Sequence, residues 1–186
     1  MKHFYESIDG FMTDRNLALF DLVISKSYDN FKWIELGSWT GKSVAYCVVE
    51  LVNKNIDFEF YSVDTWKGAE EHQDYDIVKE DRLYDIFLEN INPIKQYVTP
   101  MRTMSFEAAK DFKDNSVDFC YVDADHSYEG VSKDLEAWWP KIKPGCYFGG
   151  DDYTKGWPSV QHAVNDFFKS KNIRVRKLGR CWYVQK

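Results

Sequence analysis

Four short apolar runs in this 186-residue chain end at or beside a carboxylate, and each is followed by a stretch with helical spacing. Lys32 to Leu36 carries Glu35, Phe58 to Val63 runs into Asp64, Val117 to Val122 into Asp123, and Cys146 to Gly149 into Asp151. Strands that alternate with helices specify an α/β fold with helices on the faces of a parallel sheet. In open sheets of that kind ligands bind beyond the carboxyl ends of the strands, which is where these acids fall.

The same periodicity predicts helices over Lys42 to Asn53, Ile77 to Asn90, Phe106 to Lys110, Glu129 to Trp139 and Ser159 to Ser170, with Pro140 stopping the fourth. A further strand is expected near Gln96 to Met101, and Ile173 to Lys177 with Cys181 to Gln185 read as a closing pair around Gly179. Before the first strand, Asp14 is placed to cap an amphipathic helix reaching about Ser27, with Leu17, Phe20, Leu22, Val23 and Ile24 apolar. Packing is the preferred role for that helix, and a lid is the alternative. Residues 1–30 are then a helical extension of a single domain over 1–186, a length that fits one core.

Aromatic residues make up 17% of the chain, which points to a densely packed interior or an aromatic-lined pocket. Cys47, Cys120, Cys146 and Cys181 are widely spaced inside apolar stretches and read as reduced thiols, not as a zinc site or disulfides. Glu6 and Asp9 interrupt any signal-peptide core, and no run approaches the ~18 apolar residues of a membrane span. A soluble, cytoplasmic protein is expected. A net charge of −6 argues against nucleic acid. One basic cluster, Lys169, Lys171, Arg174, Arg176, Lys177 and Arg180, reads as a solvated edge, with contact to an acidic substrate as the alternative.

The first turn, Glu35-Leu36-Gly37-Ser38-Trp39-Thr40-Gly41, spaces two glycines four apart, which permits a tight turn and close approach of a ligand to backbone N–H groups at a helix start. Asp64 lies 23 residues past Gly41 at the end of the next strand, where a carboxylate can accept both hydroxyls of a ribose. Trp39 stands where a dinucleotide fingerprint needs glycine. Gly41-Lys42-Ser43 matches the end of a phosphate-binding loop, but that loop is one residue too short here to wrap a phosphate.

With Val117-Asp118-Phe119-Cys120-Tyr121-Val122-Asp123-Ala124-Asp125-His126, Lys143-Pro144-Gly145 and Asp151-Asp152-Tyr153 following in order, the sequence resembles class I S-adenosylmethionine-dependent methyltransferases. Within them it resembles metal-dependent sugar and small-molecule O-methyltransferases of the macrocin type. The resemblance implies a three-layer Rossmann-like sandwich on a mostly parallel seven-stranded sheet with an antiparallel last strand. It implies that Glu35, Gly37, Ser38, Gly41 and Ser43 hold the methionine end of S-adenosylmethionine, that Asp64 and Thr65 meet the ribose, and that Trp66, Met104 and Ser105 border the adenine. Asp123 would stand beside both the cofactor and the reaction.

Asp123, Asp151 and Asp152 end two strands expected to be neighbours, so three carboxylates could converge on one hard cation such as Mg²⁺; capping helices at the surface is the alternative. His126, three residues past Asp123, is placed to act as a general base. The implied reaction is O-methylation of a small hydroxylated acceptor such as a sugar, with no nucleic acid or membrane partner and with homo-oligomerisation left open. Two other classes compete: a phosphoryl-transfer protein using Gly41-Lys42-Ser43, and a non-catalytic domain that only binds the cofactor. His3, His72 and His162 lack comparable company and read as surface or packing residues.

Overall fold

The computed structural model describes residues 1–186. Its sheet consists of β1 (Phe31–Leu36), β2 (Phe58–Asp64), β3 (Val98–Arg102), β4 (Val117–Val122), β5 (Ile142–Gly150), β6 (Arg176–Leu178) and β7 (Cys181–Gln185), in the order β3-β2-β1-β4-β5-β7-β6. Pairings among β1 to β5 are parallel, and β7 runs antiparallel to both of its neighbours. This is the expected Rossmann-like sheet. The chain winds outward from β1 in one direction and from β4 in the other, so a crevice opens between the carboxyl ends of β1 and β4.

The helices are α1 (Asp14–Lys26), α2 (Lys42–Asn53), α3 (Asp76–Lys79), α4 (Leu83–Ile91), α5 (Ser105–Ala108), α6 (Tyr128–Trp138) and α7 (Pro158–Ser170). The single helix expected over 77–90 is broken into α3 and α4, because Asp81 takes a left-handed φ of 52° and the stretch Lys79 to Arg82 is exposed, with no apolar face to hold a helix on the core. Helix α1 is capped by Thr13, not Asp14: the Thr13 N–H and hydroxyl both donate to Asn16 Oδ1, at 3.0 and 3.1 Å. It buries Leu19, Phe20, Val23 and Ile24 in the core, and its Asn16 and Phe20 also line the cavity described below.

Aromatic rings fill both faces of the sheet. On one, Trp33 is fully buried between Phe119, at 4.6 Å edge to face, and Phe60, stacked at 5.6 Å. On the other, Phe148, Phe168, Trp138 and Trp182 are buried together. Cys47, Cys120 and Cys181 are buried, Cys146 is half-buried, and all four are free thiols. The basic cluster lies mostly exposed on the β6 edge and the end of α7; Arg180 alone turns inward. No helix is long and apolar enough to cross a membrane.

One buried acid carries an energetic cost. Asp134 of α6 has no accessible surface and no well-aligned hydrogen bond, and burial pushes its carboxyl up to about 7, only partly offset by nearby Ser105. In the unfolded chain the group ionises near its ordinary 3.8, so the unfolded state loses its proton first and stability falls as pH rises from about 4 to 7. Asp134→Asn is therefore expected to match the parent near pH 4 and to exceed its unfolding free energy above pH 7 by up to about 4 kcal/mol. Urea denaturation at both pH values checks this, and equal stability at pH 8 would refute it.

Candidate active site

The crevice is closed at its floor by a backbone junction. Gly37 N–H donates to the Val63 carbonyl and Asp123 N–H to the Leu36 carbonyl, each at 2.8 Å, so the ends of β1, β2 and β4 are stitched together. Gly37 has φ of 85°, and a Cβ there would sit 1.9 Å from the Asp123 carbonyl oxygen, which fixes glycine on both torsional and steric grounds. Beyond it, Ser38 and Trp39 each donate an N–H to Asp64 Oδ2 at 2.9 Å, and Trp66 N–H donates to Oδ1 at 2.7 Å. Asp64 thus holds the loop in shape while its side chain also lines the cavity.

The N–H groups of Gly37, Ser38, Trp39 and Gly41 are all spent on internal acceptors, which leaves the first-turn N–H groups of α2 as the loop's free donors.

The cavity above the junction has a volume of about 1040 Å³. That is the upper end of the range for ligand sites, roughly 300–1,000 Å³, and leaves room for two ligands side by side. Gly37, Ser38, Ser43, Asp64, Thr65, Met104 and Ser105 line it, together with Asp123, His126 and Asp152. Three residues expected at the cofactor do not face it. Glu35 is 1% exposed and lies one layer below, accepting the Ser38 hydroxyl at 2.9 Å; burial pushes its carboxyl up to about 7 against that bond. Gly41 packs against Phe87 and Ile91. Trp66, expected near an adenine, is fully buried, with its ring 4.6 Å from both Tyr84 and Phe87, and its Nε1–H donates to the Trp39 carbonyl at 2.9 Å. A large indole gains more from the core than from a wet rim, so Trp66 supports the loop from beneath.

Ligand atoms of Asp123, His126 and Asp152 lie within 4.8 Å of one another. Asp151 departs from the expected carboxylate trio. Its Oδ1 accepts Arg180 Nε at 2.8 Å and its Oδ2 accepts Asn16 Nδ2 at 2.6 Å, so both oxygens are turned away to a cation and an amide. Arg180 also donates to Asp152, whose backbone is held at φ of 56°. Burial would raise the Asp152 carboxyl, but the adjacent positive charges of His126 and Arg180 outweigh it and hold the group below its ordinary range. Asp123 moves the other way, pushed well up by burial and by the charge of Asp151.

His126 stacks on Trp157 at 4.3 Å and bonds Glu71 Oε1 through Nδ1 at 2.5 Å. Its Nε2 lies 3.1 Å from Asp152 Oδ2 and 3.8 Å from Asp123 Oδ1, buried but without the alignment of a hydrogen bond. Burial alone would favour the neutral ring, yet Asp123, Asp152 and Glu71 overcome it and raise the group to about 11. The imidazole is therefore protonated at neutral pH in this arrangement.

Several contributors were not singled out as site residues by the sequence. The acidic stretch 70–80, which the sequence offers as surface or as a cover for the site, lines the cavity with Glu70, Glu71, His72 and Tyr75; Glu71 reaches His126, and His72 and Tyr75 join Phe11 and Trp39 in a ring cluster at 4.6 to 6.0 Å spacing. His72, expected to be a surface or packing residue, lines the cavity. Asn16 brings α1 into the site by donating to Tyr121 Oη at 3.0 Å as well as to Asp151.

A family model described as a methyltransferase domain matches residues 34–153, the segment running from β1 through both acidic strand ends. The chain belongs to that methyltransferase family. Its seven-stranded sheet, parallel but for β7, is the Rossmann-like sheet of the solved methyltransferases that superpose on it. Among curated proteins, the uncharacterized protein y4gI of Sinorhizobium fredii is 31% identical over 112 residues, covering 60% of this chain and 12% of that protein. The uncharacterized protein R132 of Acanthamoeba polyphaga mimivirus is 28% identical over 145 residues, covering 74% and 59%. The chain thus spans 12% and 59% of these two relatives' lengths. Among solved structures, the O-methyltransferase NovP superposes with a TM-score of 0.68 at 15% identity, over 93% of this chain and 78% of that one. CalS11, a TDP-rhamnose 3'-O-methyltransferase of calicheamicin biosynthesis, superposes with a TM-score of 0.62 at 15% identity, over 91% and 76%. Both share the fold.

The junction of the methyltransferase's cofactor loop can be probed by pairing two glycines of like torsion. Gly145 has φ of 82° with nothing near a new Cβ, whereas Gly37 has φ of 85° and backbone at 1.9 Å. Gly145→Ala is expected to cost about 1–2 kcal/mol, the strain of the left-handed residue alone. Gly37→Ala is expected to cost well over that and to abolish binding of S-adenosylhomocysteine. Urea denaturation of both variants with calorimetry of Gly37→Ala checks the pair; equal costs would show that the junction tolerates displacement.

Proposed function

We propose that this methyltransferase transfers the methyl group of S-adenosylmethionine to a hydroxyl oxygen of a small acceptor such as a sugar, with Mg²⁺ held at Asp123 and Asp152. The observation that carries the reading is the convergence of Asp123, His126 and Asp152 on the wall of the cavity that the cofactor loop also lines. The donor set suits a hard cation through its carboxylates, and the buried Nε2 of His126 faces the same two carboxylates without hydrogen-bond alignment. The O-methyltransferases that share the fold agree with this choice of acceptor atom, and one of them is named for a deoxysugar nucleotide.

In this reading Gly37, Ser38 and Ser43 meet the methionine end of the cofactor, Asp64 and Thr65 the ribose, and Met104 and Ser105 the adenine, while Glu35, Gly41 and Trp66 act from below by shaping the loop. A divalent cation at Asp123 and Asp152 would supply positive charge that lowers the pKa of a neighbouring hydroxyl. His126 presents Nε2 to the same space and takes the hydroxyl proton there. It can do so when Asp123 and Asp152 are matched by another positive charge, because those carboxylates otherwise keep the ring protonated. The acceptor oxygen bonds to the methyl carbon as the sulfur–carbon bond breaks, leaving neutral S-adenosylhomocysteine. Asp151 serves as the anchor of Arg180 and Asn16.

The test is a panel of sugars and phenols assayed for S-adenosylhomocysteine release with and without chelator, followed by Asp152→Asn and His126→Ala. Asp152→Asn is expected to lower turnover at least about 100-fold and to weaken Mg²⁺ binding in calorimetry, with affinity for S-adenosylhomocysteine within about threefold of the parent. Turnover that survives both chelator and Asp152→Asn would remove the metal from the mechanism.

A further inference from the structure

The cavity is lined by three cationic side chains, Lys42, Lys67 and Arg180. Arg180 is committed to Asp151 and Asp152, and Lys67 is exposed at the mouth. Lys42 is different: it is half-buried, and its ammonium makes no ion pair or hydrogen bond within the chain. Its stem is held in place. Gly10 packs over it so closely that a Cβ at position 10 would lie 3.2 Å from Lys42 Cβ and 3.5 Å from Cδ, and the Thr40 hydroxyl pins the same segment by donating to the Asp9 carbonyl. Losing the rotamer freedom of a lysine without gaining a partner is unfavourable, so a counter-charge belongs to the occupied state.

We infer that Lys42 is the counter-ion of the cofactor's α-carboxylate and selects ligands that carry an amino-acid end. This rests on the cofactor orientation under Proposed function, in which the methionine end lies at Gly37, Ser38 and Ser43. Lys42 is the first residue of α2, next to that loop, and the positive end of the twelve-residue helix reinforces its charge. The N–H groups of Gly37, Ser38, Trp39 and Gly41 are spent inside the loop, so the free donors beside Lys42 are those of the first turn of α2, enough to meet a carboxylate next to the ammonium.

The test compares S-adenosylhomocysteine with 5'-methylthioadenosine, which keeps the adenosine and thioether but lacks the amino-acid end, by calorimetry on the full chain. Lys42→Met retains the stem and removes the charge, and Lys42→Arg retains a charge. Lys42→Met is expected to weaken S-adenosylhomocysteine about tenfold or more while leaving 5'-methylthioadenosine within about twofold, and Lys42→Arg should recover most of the loss. Equal weakening of both ligands would show a loop-packing role and overturn the inference, as would unchanged affinity for S-adenosylhomocysteine. Mg²⁺-dependent ATP binding lost in Lys42→Met would reassign the lysine to phosphate. If the parent protein binds neither adenosyl ligand, the cofactor orientation itself fails, an outcome distinct from a failure at Lys42 alone.

Discussion

The meeting of Gly37 with the Asp123 backbone is the contact on which the site depends. Three strand ends converge there, and the absence of one side chain lets β1 and β4 come close enough for their loops to share a floor. Everything chemical in the cavity is referenced to that point: the loop that turns over Asp64, the start of α2 that carries Lys42, and Asp123 itself. Because the floor is backbone hydrogen-bonded to backbone, its geometry does not depend on side-chain rotamers, which is the kind of rigidity that alignment of a displacement reaction demands.

Around this floor the protein manages an excess of negative charge. Asp123, Asp151, Asp152 and Glu71 stand against His126 and Arg180, and the balance is uneven from residue to residue. Asp151 is fully engaged by an amide and a guanidinium, Asp152 is stabilised as a carboxylate, and Asp123 is pushed toward the protonated form. Of these four acids, Asp123 is the one pushed furthest toward its neutral form, and it lies beside the unaligned Nε2 of His126, so the local charge imbalance is concentrated where a cation and an acceptor hydroxyl would enter.

The strands and most helices were legible because their apolar residues repeat at the period of the element that forms: α2 and β4 fall on the expected residues. The loop glycines and the acids at strand ends were legible for a related reason, since topology alone sends strand ends to the ligand edge. What escaped was set by contacts distant in sequence. Arg180 reaches Asp151 across 29 residues through the turn between β6 and β7, and nothing local to Asp151 announces it. Glu71 meets His126 across 55 residues, and in a segment crowded with acids no pattern singles it out. Trp66 misled because proximity to a strand end suggests a ligand contact, while the size of its ring and the neighbouring Tyr84 and Phe87 send it inward.

Helix α1 and the β6–β7 turn lie outside the segment 34–153 that defines the family, yet each places a side chain against the acidic wall: Asn16 from the first, Arg180 from the second, joined by Trp157 from the loop before α7. The matched segment thus carries Asp123, His126 and Asp152 but neither the amide and guanidinium that hold Asp151 nor the indole that stacks on the imidazole. A chimera that exchanged only residues 34–153 with another member of the family would carry those three groups across and leave Asp151 and the ring facing whatever its host supplies in place of Asn16, Arg180 and Trp157.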